Sequence, residues 1–151
     1  MRVPRETVYT RLFNLIATTP VPGGGTWNLK GRRVLDWDDV PPASQPAIFL
    51  HQTTQTADQN QAMFLTKWEL NALVWIYFRT DASKDQATNP DTAVNAYLDA
   101  FEATIDPVPG RKQTLGGLVE NCWINGVCLS NSGVDDGQGV IMIPLTLLTG
   151  I

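Results

Sequence analysis

The stretch Thr66–Arg79 constrains this chain more than any other. Its even positions read Trp68, Leu70, Ala72, Val74, Ile76 and Phe78, while Lys67, Glu69 and Asn71 take the first odd ones. Strict alternation places the two sets on opposite faces of a strand. From Leu73 onward the odd face turns apolar too, through Leu73, Trp75 and Tyr77. One end of the strand is therefore expected to be covered on one face and the other end on both. At ~3.3 Å per residue such a strand reaches about 46 Å, longer than a domain of 151 residues needs. Residues 46–51 (P-A-I-F-L-H) read as its buried partner, so part of the hairpin 46–79 is expected to project from the body.

The remaining pattern alternates helices and strands. Residues 4–18 form the first helix, with Pro4 in the first turn and Val8, Leu12, Leu15 and Ile16 at helical spacing. Val21–Thr26 (V-P-G-G-G-T) is a loop by composition, Trp27–Trp37 a weaker extended segment, and 38–46 a break with three prolines. Thr53–Ala62 (T-T-Q-T-A-D-Q-N-Q-A) lacks periodicity and is expected to be a loop. Asn89-Pro90-Asp91 opens a second helix with buried positions Val94, Tyr97, Leu98, Phe101 and Ile105, closed by Pro107 and Pro109-Gly110. Two strands follow, over 118–129 and 139–148, around the turn-rich 130–138. The order predicts a single α+β domain over 1–151, a largely antiparallel or mixed sheet with two helices packed on one face.

Composition narrows the functional classes. The chain has 43% apolar residues and five Trp, too much to bury for a disordered segment. Its longest apolar run, Ala72–Phe78, is seven residues against roughly 20 for a membrane span, so no membrane association is expected. The N-terminus, M-R-V-P-R-E, has no signal-peptide core, which points to synthesis in a cytoplasm. Net charge of −4 argues against a general nucleic-acid binder. The charge is split: residues 1–33 carry six basic groups against Glu6, and the rest five basic against fourteen acidic. That asymmetry suits a molecule stacking on copies of itself or on a charged neighbour; a solvated surface explains it equally. Cys122 and Cys128 are too poorly spaced for a bridge on either a strand or a hairpin, so both are expected to be reduced and buried.

Converging reactive groups are not apparent. His51, the sole histidine, lies in a strand without a G-x-S-x-G elbow. Gly23-Gly24-Gly25 follows a helix and precedes no Gly-Lys-Ser/Thr. Asp36, Asp38 and Asp39 lack the glycine and distal Glu of a calcium loop and read as a solvated acidic turn. No enzymatic activity, cofactor or metal is expected. Arg32-Arg33 and Arg111-Lys112, the basic pairs, are candidates to touch phosphate or an acidic neighbour.

Taken together, the opening helix, R-R-V-L-D-W at 32–37, Q-P-A-I-F-L at 45–50, the strand Lys67–Phe78, the helix Asn95–Ile105 and Q-T-L-G-G-L-V at 113–119 resemble the tail terminator (tail completion, lambda gpU-like) proteins of long-tailed bacteriophages. The resemblance spans nearly the whole chain; the tract Thr53–Ala62 departs from it. It implies a structural virion protein of the tail and neck: a hexameric ring that caps the tail tube, stops its polymerisation and presents a surface to the head-tail connector. Its partners would be copies of itself, the tail tube protein and a connector or head-completion protein, with DNA passing nearby in the lumen. Neutral polar groups at the hairpin tip suit a lumen or a subunit junction. The candidate assembly and lumen contacts are therefore Arg32, Arg33, Gln52, Gln55, Asp58, Gln59, Gln61, Arg111 and Lys112. A neighbouring neck, head-completion or tail-to-head joining protein is the alternative. A monomeric module binding a small molecule among Trp68, Trp75, Trp123 and Tyr77 is a third reading, and a small enzyme at His51 a fourth.

Overall fold

Six strands and two helices are arranged in the order α1 (Arg5–Ile16), β1 (Leu29–Gly31), β2 (Ala47–Asp58), β3 (Lys67–Arg79), α2 (Asp91–Ile105), β4 (Asn121–Ile124), β5 (Leu129–Asn131) and β6 (Gln138–Thr149). This computed structural model describes residues 3–58, 66–80, 85, 87–132 and 137–149. The strands form one mixed sheet in the order β1-β2-β3-β6-β4, with β5 also paired to β6. β1 runs parallel to β2 and the other pairs are antiparallel. The expected α+β domain is what the chain forms.

The alternation in β3 organises the core. Leu70, Ala72, Val74, Ile76 and Phe78 are buried against Val8, Tyr9, Leu12 and Ile16 of α1 and Val94, Tyr97, Phe101 and Ile105 of α2. β6 flanks β3 from Trp68↔Thr149 to Arg79↔Gln138, so its Ile141, Ile143, Leu145 and Leu147 join the same face. Gly139 sits opposite Phe78, where a β-carbon would lie 2.4 Å from the ring. Only glycine leaves room for that ring. The opposite face carries a smaller cluster, Val40, Ala47, Phe49 and Tyr77, roofed by Val34, Leu35 and Trp37. The far end of β3 is thus covered on both faces at Tyr77, while Leu73 and Trp75 of the expected apolar face are only half-buried.

The segments Q-P-A-I-F-L and Q-T-L-G-G-L-V both serve this frame. Gln45 is buried, and its Nε2 donates to Val40 O at 3.0 Å and to Gln138 Oε1 at 2.9 Å, tying the roof to β6. In Q-T-L-G-G-L-V, Leu115, Gly116 and Gly117 all have positive φ, at 52°, 73° and 91°. The glycines take that conformation without a side-chain clash. The turn buries Leu115 and Val119, and Gln113 Nε2 donates to Ile105 O at the end of α2.

Four expectations need correction. The tract 53–62 is not a loop throughout: β2 continues to Asp58, because the backbone ladder to β3 needs no apolar side chains. Trp27–Trp37 is extended as a strand only over Leu29–Gly31 and then turns. The strand expected over 118–129 is broken into β4 and β5. Pro144 of β6 accepts from Asn125 N at 3.0 Å, so the side that lacks its N–H faces this edge, and the ladder lapses there. Cys128 is exposed in that break rather than buried, whereas Cys122 is buried; both are free thiols.

Candidate assembly surface

Seven of the nine sequence-selected residues are described, and they fall in three places rather than one. Gln52 and Gln55 lie exposed on β2, on either side of a bulge in which Thr53 and Thr54 oppose Asn71. Asp58 ends β2, its backbone paired with Lys67. Gln59 and Gln61 lie outside the described residues. Because β1 pairs only with Ala47–Phe49, the outer edge of β2 beyond Phe49 has no strand partner among the described residues. His51–Thr56 are all exposed along it. A side-chain ladder braces this edge: Asn71 Nδ2 donates to Thr54 Oγ1 (3.1 Å), Thr146 Oγ1 to Asn71 Oδ1 (2.8 Å), and Asn125 Nδ2 to Thr146 Oγ1 (3.1 Å). The bulge is therefore anchored across the sheet to the residue following β4.

Arg32 and Arg33 part company. Arg32 forks onto Glu6 of α1 and lies over the Tyr9 ring, 5.8 Å from its centroid. The hydrogen bond from Arg32 holds the Glu6 carboxyl below its ordinary range. Arg32 is thus committed to joining β1 to α1. Arg33 is exposed and forms no ion pair among the described residues.

Arg33 stands at the rim of a cleft of about 840 Å³ on the helix-free side of the sheet. Trp37, Trp75 and Tyr77 line it, with Trp37 edge-on to Tyr77 at 5.4 Å and Trp75 tilted to it at 6.5 Å. Tyr77 donates to Leu35 O at 2.9 Å, and burial pushes its phenol pKa up. Trp75 Nε1 is buried with no acceptor among the described residues. His51 also lines this cleft. The four aromatics expected to share a pocket do not: Trp68 lies under the Arg5 guanidinium at 4.4 Å, and Trp123 lines a different cleft. Trp37 was missing from that set, since nothing local in the sequence ties it to Trp75.

Arg111 and Lys112 are exposed in the turn after α2, where Arg111 N donates to Val108 O at 3.1 Å. They border a second cleft of about 380 Å³ with Glu102, Asp106 and Trp123. Val108 is 45% exposed, one of three large hydrophobics so open among the described residues; the others, Val127 and Leu129, flank Cys128. No described helix is long and apolar enough to cross a membrane. No family model matches the chain, and no curated protein matches it.

Proposed function

We propose that this chain is a structural subunit of a bacteriophage tail terminator ring, probing its neighbours through sheet edges and charged turns rather than through a reactive centre. The observation that carries this reading is the outer edge of β2, which beyond Phe49 has no strand partner among the described residues. Its exposed residues His51–Thr56 are polar, and a bulge braced by Asn71 and Thr146 holds it in shape. Such an edge is a template for another chain, and a lone globular protein normally blunts it with charge, proline, a bulge or a covering element; of these the described edge has the bulge at Thr53-Thr54. Here the described edge from His51 to Ala57 carries no Lys, Arg, Asp, Glu or Pro. A closed ring occupies edges of this kind with copies of the same chain. The α+β domain agrees with the resemblance to tail terminators drawn from the order of motifs along the chain, and that resemblance supports the same assignment. On this reading the protein works in the virion, between tail tube and head-tail connector, and needs no cofactor.

Native mass of the purified protein, alone and mixed with the tail tube protein of the same source, tests it. Six chains of 16.6 kDa give a ring of about 100 kDa. That species in either sample, with capped tube ends by electron microscopy, is the expected result. A ring that binds portal-side proteins and ignores tubes moves the assignment to a head-completion or joining protein. The aromatic cleft favours a second reading, a small-molecule module; a strict monomer in both samples, with bare tube ends, would select it.

A further inference from the structure

The aromatic cleft on the helix-free face holds polar groups that the fold leaves unmatched. Trp75 is half-buried, but its Nε1 is fully buried and has no acceptor among the described residues. A buried N–H without an acceptor is costly, and native structures normally supply a partner. Arg33, Asp36 and His51 also line the cleft, and all three are exposed. None of them makes a side-chain hydrogen bond or ion pair among the described residues. The other polar aromatic and the other cation are already answered, Tyr77 by Leu35 O and Arg32 by Glu6. We propose that this cleft binds a nucleotide, with an amino-bearing base stacked among Trp37, Trp75 and Tyr77 and a phosphate held by Arg33 and His51. The site does not rest on the ring reading.

Strand register sets the order of these groups. On this face Ala47 lies opposite Tyr77, Phe49 opposite Trp75 and His51 opposite Leu73. His51 is therefore four residues along β3 from Tyr77, a span of about 13 Å. Asp36 belongs to the Tyr77 end: it follows Leu35, whose carbonyl takes the phenol, and its charge helps to raise the Tyr77 pKa. β1 runs parallel to β2 with Gly31 paired to Phe49, so the chain leaves β1 heading toward the His51 row, and Arg33 comes two residues later. The cleft thus offers an acceptor at one end, an indole donor in the middle and cationic or neutral donors at the other end.

A nucleotide meets each of these. Its exocyclic amino group donates to Asp36, a ring nitrogen or carbonyl accepts from Trp75 Nε1, and its phosphate accepts from Arg33 and His51. The base supplies a flat face for the aromatic walls. A volume of about 840 Å³ accommodates a ligand of this size. A simple anion would leave the aromatic walls unused and would be repelled by Asp36. An apolar ligand would leave Trp75 Nε1 and Arg33 unmatched. The second cleft, of about 380 Å³, sets Arg111 and Lys112 against Glu102 and Asp106, and none of its lining side chains buries an unpartnered polar atom among the described residues.

Calorimetry on the full chain with adenosine 5′-monophosphate tests the site. Saturable binding of one nucleotide per chain is expected, with adenosine and inorganic phosphate each at least ~10-fold weaker. Uridine monophosphate, which lacks the exocyclic amino group, is expected to bind more weakly as well. Trp75→Phe, at unchanged urea midpoint, should weaken binding ~10-fold, and the surface change Arg33→Gln should do the same. Trp123→Phe, in the second cleft, should leave affinity unchanged. No saturable binding of the mononucleotide, or binding that survives both Trp75→Phe and Arg33→Gln, overturns the site and leaves the ring reading standing. Phosphate binding as tight as the nucleotide reduces the cleft to an anion site and overturns it too. So does an oligoadenylate that binds with steep salt dependence while the mononucleotide does not, which would make this face a track for a strand.

Discussion

The two faces of the sheet are finished to different degrees. On the helix side, Phe78, Phe101, Leu12, Ile16 and Ile141 are fully buried, and the cluster closes on itself. On the other side, the roof from Val34 to Val40 covers Phe49 and Tyr77 but leaves Trp75 half-exposed, with a buried Nε1 that has no acceptor among the described residues. Leu73, Met142 and Pro144 are also only half-covered there. A sheet face of a self-sufficient domain is either roofed or polar. This one is in part neither, and on the ring reading proposed above it is a face that a neighbouring copy would cover.

Truncation on the sealed face should give the largest effect. Phe101→Ala is expected to cost about 3–5 kcal/mol, read as a fall in the urea midpoint at unchanged slope. Gly139→Ala should follow, at about 1–3 kcal/mol, because the new methyl meets the Phe78 ring. On the open face, Trp75→Phe should shift the isolated chain by less than about 1 kcal/mol, since it removes an N–H that already lacks a partner. A loss as large as that of Phe101→Ala would mean the two faces are equally closed, and would break the contrast. If the same variant weakens assembly, the neighbour supplies the acceptor.

How much of this was legible in the sequence follows from which interactions are periodic. β3, α1 and α2 announced themselves because each repeats an apolar residue toward one core. The end of β2 did not: Thr53–Asp58 draws its order from backbone pairing with β3 and from Asn71, leaving no trace in hydrophobicity. The break between β4 and β5 was encoded by Pro144, a residue on the partner strand, so local reading of 118–129 could not find it. Among the candidate contacts, Arg32 pairs with Glu6, a partner 26 residues earlier that nothing local to R-R-V-L-D-W reveals. The cleft joined Trp37 to Trp75 through a roof whose path only tertiary structure sets. Glycines 116 and 117, by contrast, were legible as a motif, and their positive φ values supply the reason.

The thiols repeat the contrast at smaller scale. Burial pushes the Cys122 pKa up to about 12, while Cys128 is exposed and raised less, by partial burial and then by Glu102. Native protein should therefore alkylate at Cys128 and spare Cys122. The raised folded pKa also has a sign: its stabilising balance is intact below the unfolded thiol value near 9 and is lost as pH rises toward 12. Between pH 9 and 10, wild type is expected to lose about 1 kcal/mol more than Cys122→Ala. Equal losses would mean the thiol reaches solvent.

The smallest effect belongs to the seam between β1 and α1. Glu6 titrates below its ordinary value because Arg32 donates to its charged form. A lowered folded pKa contributes stability above the unfolded carboxyl value near 4.5, and that contribution disappears as pH falls through the folded value. Glu6 is fully open to water and Arg32 only partly covered, so salt screens the pair and the contribution is slight. Glu6→Gln should flatten the acid limb of the stability curve by a small amount at low salt and leave it unchanged at high salt. It should not alter ring assembly, because Arg32 in this structure is spent inside the chain while Arg33 faces outward. Loss of assembly in Glu6→Gln, at unchanged stability, would return Arg32 to the subunit interface and move the line between the closed and open regions of the molecule.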